Sequence, residues 1–301
     1  MLGLVVACSD LGGLSDEPAA LDAGTSKDSG KTDTPGESDG GPTPEGPRCD
    51  RTKPFEAPAL VTEFDPTSNY VKGAIASPDE LEVFYLRYTT SGNWDLRHAR
   101  RATKSDPWGP VENLPLTPTP DAYLSLTAGG LKLYFWTLES PYRATRLGTN
   151  DMFGIPTKFD VASGPGMFVV NADDFAYFAK YENMDGGGTE RFIRRGALST
   201  SGFSSTSVIV PNIHRAGSND DRPILNTSET VMYFASNRPG GKGLADIWVS
   251  RRSSKSEELG APVHVPELST EKVDGVTWVS DDECEVFLDR ANHIYHARRP
   301  N

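Results

Sequence analysis

Long apolar runs are scarce in this 301-residue chain, and no segment approaches the ~20 apolar residues of a membrane helix. Bases are also short: 30 Lys+Arg face 42 Asp+Glu, a net charge of -12. Gripping nucleic acid or anionic lipid needs clustered cations that displace counterions, so neither is expected as a partner. The five histidines (His98, His214, His264, His293, His296) lack zinc-like spacing, and no Gly-x-Ser-x-Gly elbow of a hydrolase occurs. Pro239-Gly240-Gly241-Lys242-Gly243 lacks the spacing of a phosphate loop and reads as a hairpin tip. Asn183 to Gly188 lacks the alternating acids of a calcium loop and reads as a turn. These absences leave no catalytic residue, no metal ligand set and no cofactor to assign.

Glycine (29) and proline (23) are plentiful, and they concentrate near the N-terminus. From Ser9 to about Pro47 the chain has no aromatic residue and hardly any β-branched aliphatics, so it cannot bury enough surface to offset its ordering entropy. Residues 9–50 are therefore expected to be a disordered acidic linker. Residues 1–50 carry ten acids and three bases, which leaves a net of only -5 for residues 51–301. Ahead of the linker stands MLGLVVAC, whose Val5-Val6-Ala7-Cys8 resembles the bacterial lipobox. There small residues admit a signal peptidase and the cysteine sulfur takes diacylglycerol. The resemblance implies residues 1–8 as the remnant of a signal segment and Cys8 as the lipidated residue. The protein would then be held at the cell envelope by lipid alone, on the periplasmic side or the outer surface of the outer membrane; Ser9 leans towards the outer membrane. In an exported protein the two remaining cysteines, Cys49 and Cys284, are read as a disulfide, with two free thiols as the alternative.

Self-similarity governs the rest. Five segments, ASPDELEVFY from Ala76, LTAGGLKLYF from Leu126, VNADDFAYFA from Val170, LNTSETVMYF from Leu225 and VSDDECEVFL from Val279, align without gaps. An aromatic recurs as Phe84, Tyr134, Phe178, Tyr233 and Phe287, at separations of 50, 44, 55 and 54 residues. Beside it Val83, Leu133, Tyr177, Met232 and Val286 form a second apolar column, the pattern of strands buried on both faces. The Ser/Thr/Asn, Pro/Ala, Asp/Gly cluster before each is turn chemistry, so each copy holds a tight hairpin.

A third strand follows each hairpin, at Asp95–Arg101, Tyr142–Arg146, Glu190–Arg195, Asp246–Arg252 and His293–Arg299, mostly ending in paired arginines. Those arginines are expected in solvent and salt bridges rather than as an anion site. A fourth strand is read from Trp108, Phe153, Phe203 and Leu259, and the last copy has none. Phe55-Glu56-Ala57-Pro58-Ala59-Leu60-Val61 carries the missing pattern at the other end of the domain. Four-stranded units that close only by borrowing an N-terminal strand describe an all-β, five-bladed propeller over residues 51–301.

The fourth unit, Thr227-Ser228-Glu229 through Tyr233-Phe234-Ala235-Ser236-Asn237-Arg238-Pro239-Gly240-Gly241 to Asp246-Ile247-Trp248-Val249, resembles the WD40-like (PD40) propeller repeat of TolB-like bacterial envelope proteins. The first unit keeps Ser77-Pro78-Asp79 with Glu80 in place of glycine, and the second lacks the Asp-Ile pair. The resemblance implies a monomeric, non-catalytic binding or scaffolding module with an envelope protein or glycan as partner.

Innermost strands of propeller blades start at one mouth of the central channel. The column there reads Val71, Asp121, Pro165, Asp220 and Asp274, and Asp221 and Arg222 add polar groups beside it. The plain expectation is that these aspartates cap backbone N–H groups. Two sharper ones are a cation site of convergent oxygens and a glycosidase using two carboxylates. A carbohydrate-active enzyme is accordingly the alternative function.

Overall fold

The turn before each aromatic strand sets the geometry of the chain. In blades one, two, four and five it closes through the same pair of backbone bonds; Ser77 N–H to Glu82 O (2.9 Å) and Glu80 N–H to Ser77 O (2.8 Å) are the first example. The last turn residue has positive φ: Glu80 (61°), Gly130 (67°), Glu229 (57°) and Glu283 (58°). Glycine suits that conformation, and three blades place a glutamate there instead.

The computed structural model describes residues 48–64, 70–127, 129–137, 140–158, 168–170, 175–185, 187–199, 202–203 and 206–301. Cys8, the linker up to Pro47, Pro165 and Gly186 lie outside them. Apart from a 3-10 turn at Pro266–Leu268, every regular element among the described residues is a strand. They form five antiparallel sheets, one per repeat. Blade one is Val71–Ala76, Glu82–Tyr88, Trp94–Arg100 and Glu112–Asn113; blade two is Ala122–Leu126, Lys132–Trp136, Pro141–Thr145 and Thr157–Lys158. Blade three is Phe168–Val170, Phe175–Asn183 and Thr189–Ser199, with Gly202–Phe203 and Val208–Ile209 both pairing on its third strand. Blade four is Asp220–Leu225, Val231–Ser236, Asp246–Arg251 and Val263–His264. Blade five is Gly275–Val279, Glu285–Arg290 and His293–Arg298, completed by Ala59–Leu60 from the N-terminal side, which pairs with His296 and Tyr295. The five-bladed propeller closed by a borrowed strand is thus the observed fold.

Cores fill the spaces between neighbouring blades. Blades one and two share Ile75, Phe84, Leu86, Leu124, Leu133 and Phe135, and the other pairs are packed similarly. The N-terminal segment enters two of these cores. Phe55 packs with Tyr233 and Val286 between blades four and five, and Phe64 stacks on Tyr85 (4.8 Å) between blades five and one.

The alignment without gaps needs one correction. In blade three Val170 pairs with Ala176, whereas in blade four Leu225 pairs with Met232, so the third turn is one residue shorter. The aromatic column therefore runs through Tyr177, not Phe178. The Tyr177 hydroxyl bonds Glu229 of blade four (3.2 Å), as Tyr233 bonds Glu283 of blade five (3.3 Å).

The arginines at the third-strand ends are internal clamps. Arg101, Arg146, Arg252 and Arg299 each donate Nε–H to the carbonyl of their own positive-φ turn residue, at 2.7, 2.8, 2.6 and 3.0 Å. Three of them lie over the aromatic that opens the fourth strand: Arg101 on Trp108, Arg146 on Phe153 and Arg299 on Phe55. Planar guanidinium supplies a directed donor and a stacking face together, which lysine cannot.

At the seam between blades five and one the pattern changes. Phe287 replaces the tyrosine, so this column offers Glu80 no hydroxyl. Arg48 takes over, bonding Glu80 (2.7 and 2.8 Å) in blade one and Asp282 (2.7 and 2.9 Å) in blade five. Next to it Cys49 is joined to Cys284, with Cα atoms 5.6 Å apart, so the expected disulfide staples the seam.

Candidate ligand site at the channel mouth

Because inner strands all run the same way, the propeller has two distinct faces. The clamped turns, the disulfide and Arg48 lie where inner strands end, here called the latch face. Where inner strands begin, the channel opens into a cavity of about 320 Å³.

That mouth is shaped by a bulge. Pairing of inner to second strand slips between Lys72 and Ile75, Ala122 and Ser125, Asp221 and Ile224, and Val276 and Trp278. Within three of the bulges a residue takes positive φ: Gly73 (69°), Tyr123 (47°) and Arg222 (52°). A bulge re-aims side chains, and it accommodates Pro223, which has no N–H to give the ladder.

The predicted carboxylates mostly go elsewhere. Asp220 is fully buried between Arg238 (2.6 Å) and His214 (3.1 Å). Asp274, 1% exposed, accepts Arg290 Nε–H (2.6 Å) and the N–H and hydroxyl of Thr270 (2.6 and 2.8 Å). Both arginines continue to a carbonyl of the preceding connection, Arg238 to Ile213 (2.7 Å) and Arg290 to Leu268 (3.0 Å). These aspartates thus tie each blade to the chain entering it. Asp221 pairs with Arg191 and caps the Arg222 N–H (2.8 Å). The Asp121 backbone bonds Trp136 (2.9 Å), and its carboxylate lies near enough to Lys72 to favour that cation. Of the five predicted residues, only Arg222 lines the cavity among the described residues.

The other lining groups include Lys72, Tyr123, Thr277, Asp289 and Asn292. Lys72 Nζ sits 3.9 Å above the Trp94 ring; burial pushes its pKa down, while Asp289 and Asp121 oppose the shift. Arg222 lies across Gly275, where a Cβ would come within 2.8 Å of its guanidinium. Neither cationic group is hydrogen-bonded or ion-paired among the described residues. Asp289 accepts the Gly73 N–H through both oxygens (2.9 and 3.0 Å). Burial raises its carboxyl to about 6, against the Gly73 bond and the charges of Arg222 and Lys72. Around this opening lie exposed aromatics: Tyr123 is 39% exposed, Tyr70 packs edge-on against Tyr88, and Tyr181 underlies Arg191. The mouth therefore offers two uncommitted cations, one carboxylate with a raised pKa and an aromatic rim.

Sequence reasoning missed Lys72, Gly73, Tyr123, Asp289 and Asn292. The usable signal was the column two places after the predicted aspartates, Gly73, Tyr123 and Arg222, whose members share a backbone conformation rather than a residue type.

No family model matches the chain, and no curated protein does. Solved structures are similar to it over most of its length. The chain is 12% identical to a putative TolB from Agrobacterium tumefaciens, with a TM-score of 0.45, over 82% of this chain and 90% of that one. A thermostable family-43 glycoside hydrolase is 11% identical at a TM-score of 0.45, over 77% and 90%. A puromycin hydrolase mutant is 13% identical at 0.42 over 78% of this chain, which spans only 38% of that protein. Likeness at these identities and scores carries no argument about what the chain does.

Proposed function

We propose that this chain is a lipid-tethered, non-catalytic binding propeller of the bacterial cell envelope, with the channel mouth and its aromatic rim as the binding face. The observation that carries this is the state of the charges: Asp220 and Asp274 are consumed by ion pairs, whereas Lys72 and Arg222 are uncommitted beside exposed tyrosines. A catalytic pair of carboxylates needs two converging groups. Asp289 is the one carboxylate lining this cavity among the described residues. The envelope address rests on the lipobox-like Val5-Val6-Ala7-Cys8 and the TolB-like repeat of blade four. In this reading the module acts as a monomer, contacts an envelope glycan or protein, and has no nucleic-acid partner.

The test is intact mass and fractionation of the expressed protein beside Cys8→Ala, followed by capture of envelope material. A diacylglyceryl mass shift lost in the variant is expected. An unlipidated, cytosolic protein would overturn the address. The alternative, a glycan-active enzyme, draws on Asp289, whose raised pKa suits a general acid. Turnover of aryl glycosides abolished by Asp289→Asn would establish it in place of the binding role.

A further inference from the structure

Lys72 and Arg222 come from blades one and four, on different sides of one cavity of about 320 Å³, a volume within the usual range for small-molecule sites. Holding two cations in a partly desolvated cavity is unfavourable unless an anion joins them. Asp289 answers only part of this: it interacts with both cations, but one carboxylate cannot offset two positive charges and both its oxygens also take the Gly73 N–H. The Arg222 placement is also built: it needs a positive φ at residue 222 and a missing side chain at Gly275.

We propose that the channel mouth binds an acidic sugar, with Lys72 and Arg222 taking its carboxylate, Tyr123 covering its C–H face, and Asp289 and Asn292 meeting its hydroxyls. This rests on reading the face as a binding surface and specifies what that surface takes. The mixture of lining groups selects this class over a simple inorganic anion. An aromatic edge, a donor–acceptor amide and a carboxyl beside two cations match a ring that is apolar on one face, rich in hydroxyls and charged at one carbon. Each inner strand is the edge of its sheet, so a peptide carboxy terminus is the competing occupant, and titration with each separates the two.

The experiment is calorimetric titration of the full chain with glucuronate, glucuronamide, glucose and a short peptide with a free carboxy terminus. Glucuronate should bind at least tenfold more tightly than glucuronamide or glucose, a comparison that needs no variant. Arg222→Asn, which tolerates positive φ, and Lys72→Met should each weaken glucuronate at least tenfold. Lys104→Gln on the latch face should leave its affinity unchanged. Equal binding of glucose and glucuronate, no saturation by glucuronate at tens of millimolar, or a stronger response to the peptide would each overturn the assignment. Capture of envelope material unaffected by either mouth variant would remove this site and leave the binding role standing. Conversely, turnover of a glucuronide that both variants weaken would remove the non-catalytic reading and leave the acidic-sugar site standing.

Discussion

Removing the Cys49–Cys284 bridge should loosen the seam before it loosens the blades. The bridge closes a loop with a sequence separation of 235. Chain-entropy reasoning gives such a loop about 5 kcal/mol at 25 °C, and native disulfides typically contribute ~2–5 kcal/mol. Against a domain stability of ~5–15 kcal/mol that is a large share. Besides the bridge, the seam is held by Arg48 between Glu80 and Asp282, by Phe55 and Phe64 in their cores, and by a borrowed strand that pairs over two residues, supplemented by the bonds of Glu56 N–H to Arg298 O (2.8 Å), Val61 N–H to Ile294 O (2.9 Å) and Asp50 N–H to Pro300 O (2.9 Å). Reduction, or Cys49→Ser with Cys284→Ser, should therefore lower the thermal midpoint by on the order of 10 °C, from ~2–4 °C per kcal/mol for a domain of this size. Native-state hydrogen exchange should locate the change, with Asp50, Glu56 and Val61 amides exchanging faster and blades two to four unaffected. A reduced protein melting within 1 °C of the oxidised one would refute the reasoning. Closure would then belong to Phe55 and Phe64 in their cores, not to the covalent link.

Asp289→Asn should stabilise the protein at pH 7 by up to about 3 kcal/mol, because the raised carboxyl contributes stability below its ordinary pKa that is lost as pH rises through about 6. Urea midpoints across pH 4–7 check this, and equal stability of variant and wild type at pH 7 would refute it. Glu82 behaves oppositely: burial works against its charge, but hydrogen bonds from His98 and Arg146 and the charges of Arg146 and Arg100 prevail and hold it at about 2. Its contribution is present above its ordinary pKa and is lost as pH falls through about 2. Glu82→Gln should cost ~3–5 kcal/mol at neutral pH by stranding buried Arg146, and an unchanged denaturation midpoint would contradict that. Arg101→Lys keeps the charge but loses the Trp108 stack and the Glu80 carbonyl bond, so a cost of ~1–2 kcal/mol in chemical unfolding is expected; a lysine variant as stable as wild type would show that charge alone suffices.

Much of the propeller is legible because its burial pattern repeats. Val83, Leu133, Met232 and Val286 are fully buried as two-faced strands require, and the borrowed strand announces itself through Phe55 and Pro58. Blade three departs from the gapless alignment because pairing is set by turn length, and a one-residue deletion there leaves both apolar columns looking intact. The arginine pairs were placed in salt bridges from composition, yet their second member has a more particular task, holding the carbonyl of a strained turn. The mouth was the least legible region. The aspartate column catches the eye, but Asp220 and Asp274 serve blade joining. The channel-facing residues are selected by a bulge, which no pattern of residue types at period two can reveal.

The two faces treat backbone strain differently, and that difference bears on function. Each non-glycine residue at positive φ costs on the order of 1 kcal/mol or more. On the latch face that cost has an internal counterweight: Glu80 and Glu283 reach Arg48 and Arg251 across neighbouring units, and Glu229 pairs with Arg252 of its own blade while accepting the Tyr177 hydroxyl of blade three. At the mouth Arg222 adopts the same conformation, yet its guanidinium has no hydrogen bond or ion pair among the described residues. Its neighbour Gly275 is kept without a side chain where it lies. A strained conformation whose guanidinium makes no hydrogen bond or ion pair among the described residues is accounted for if its benefit comes from a molecule outside the chain. The inference runs from the observed outlier to the site, and Arg222→Gly gives it a direct form. That variant should unfold at the same or higher denaturant concentration than wild type while losing glucuronate binding. Destabilisation by Arg222→Gly would instead assign the arginine a packing role and remove the physical ground for a ligand there.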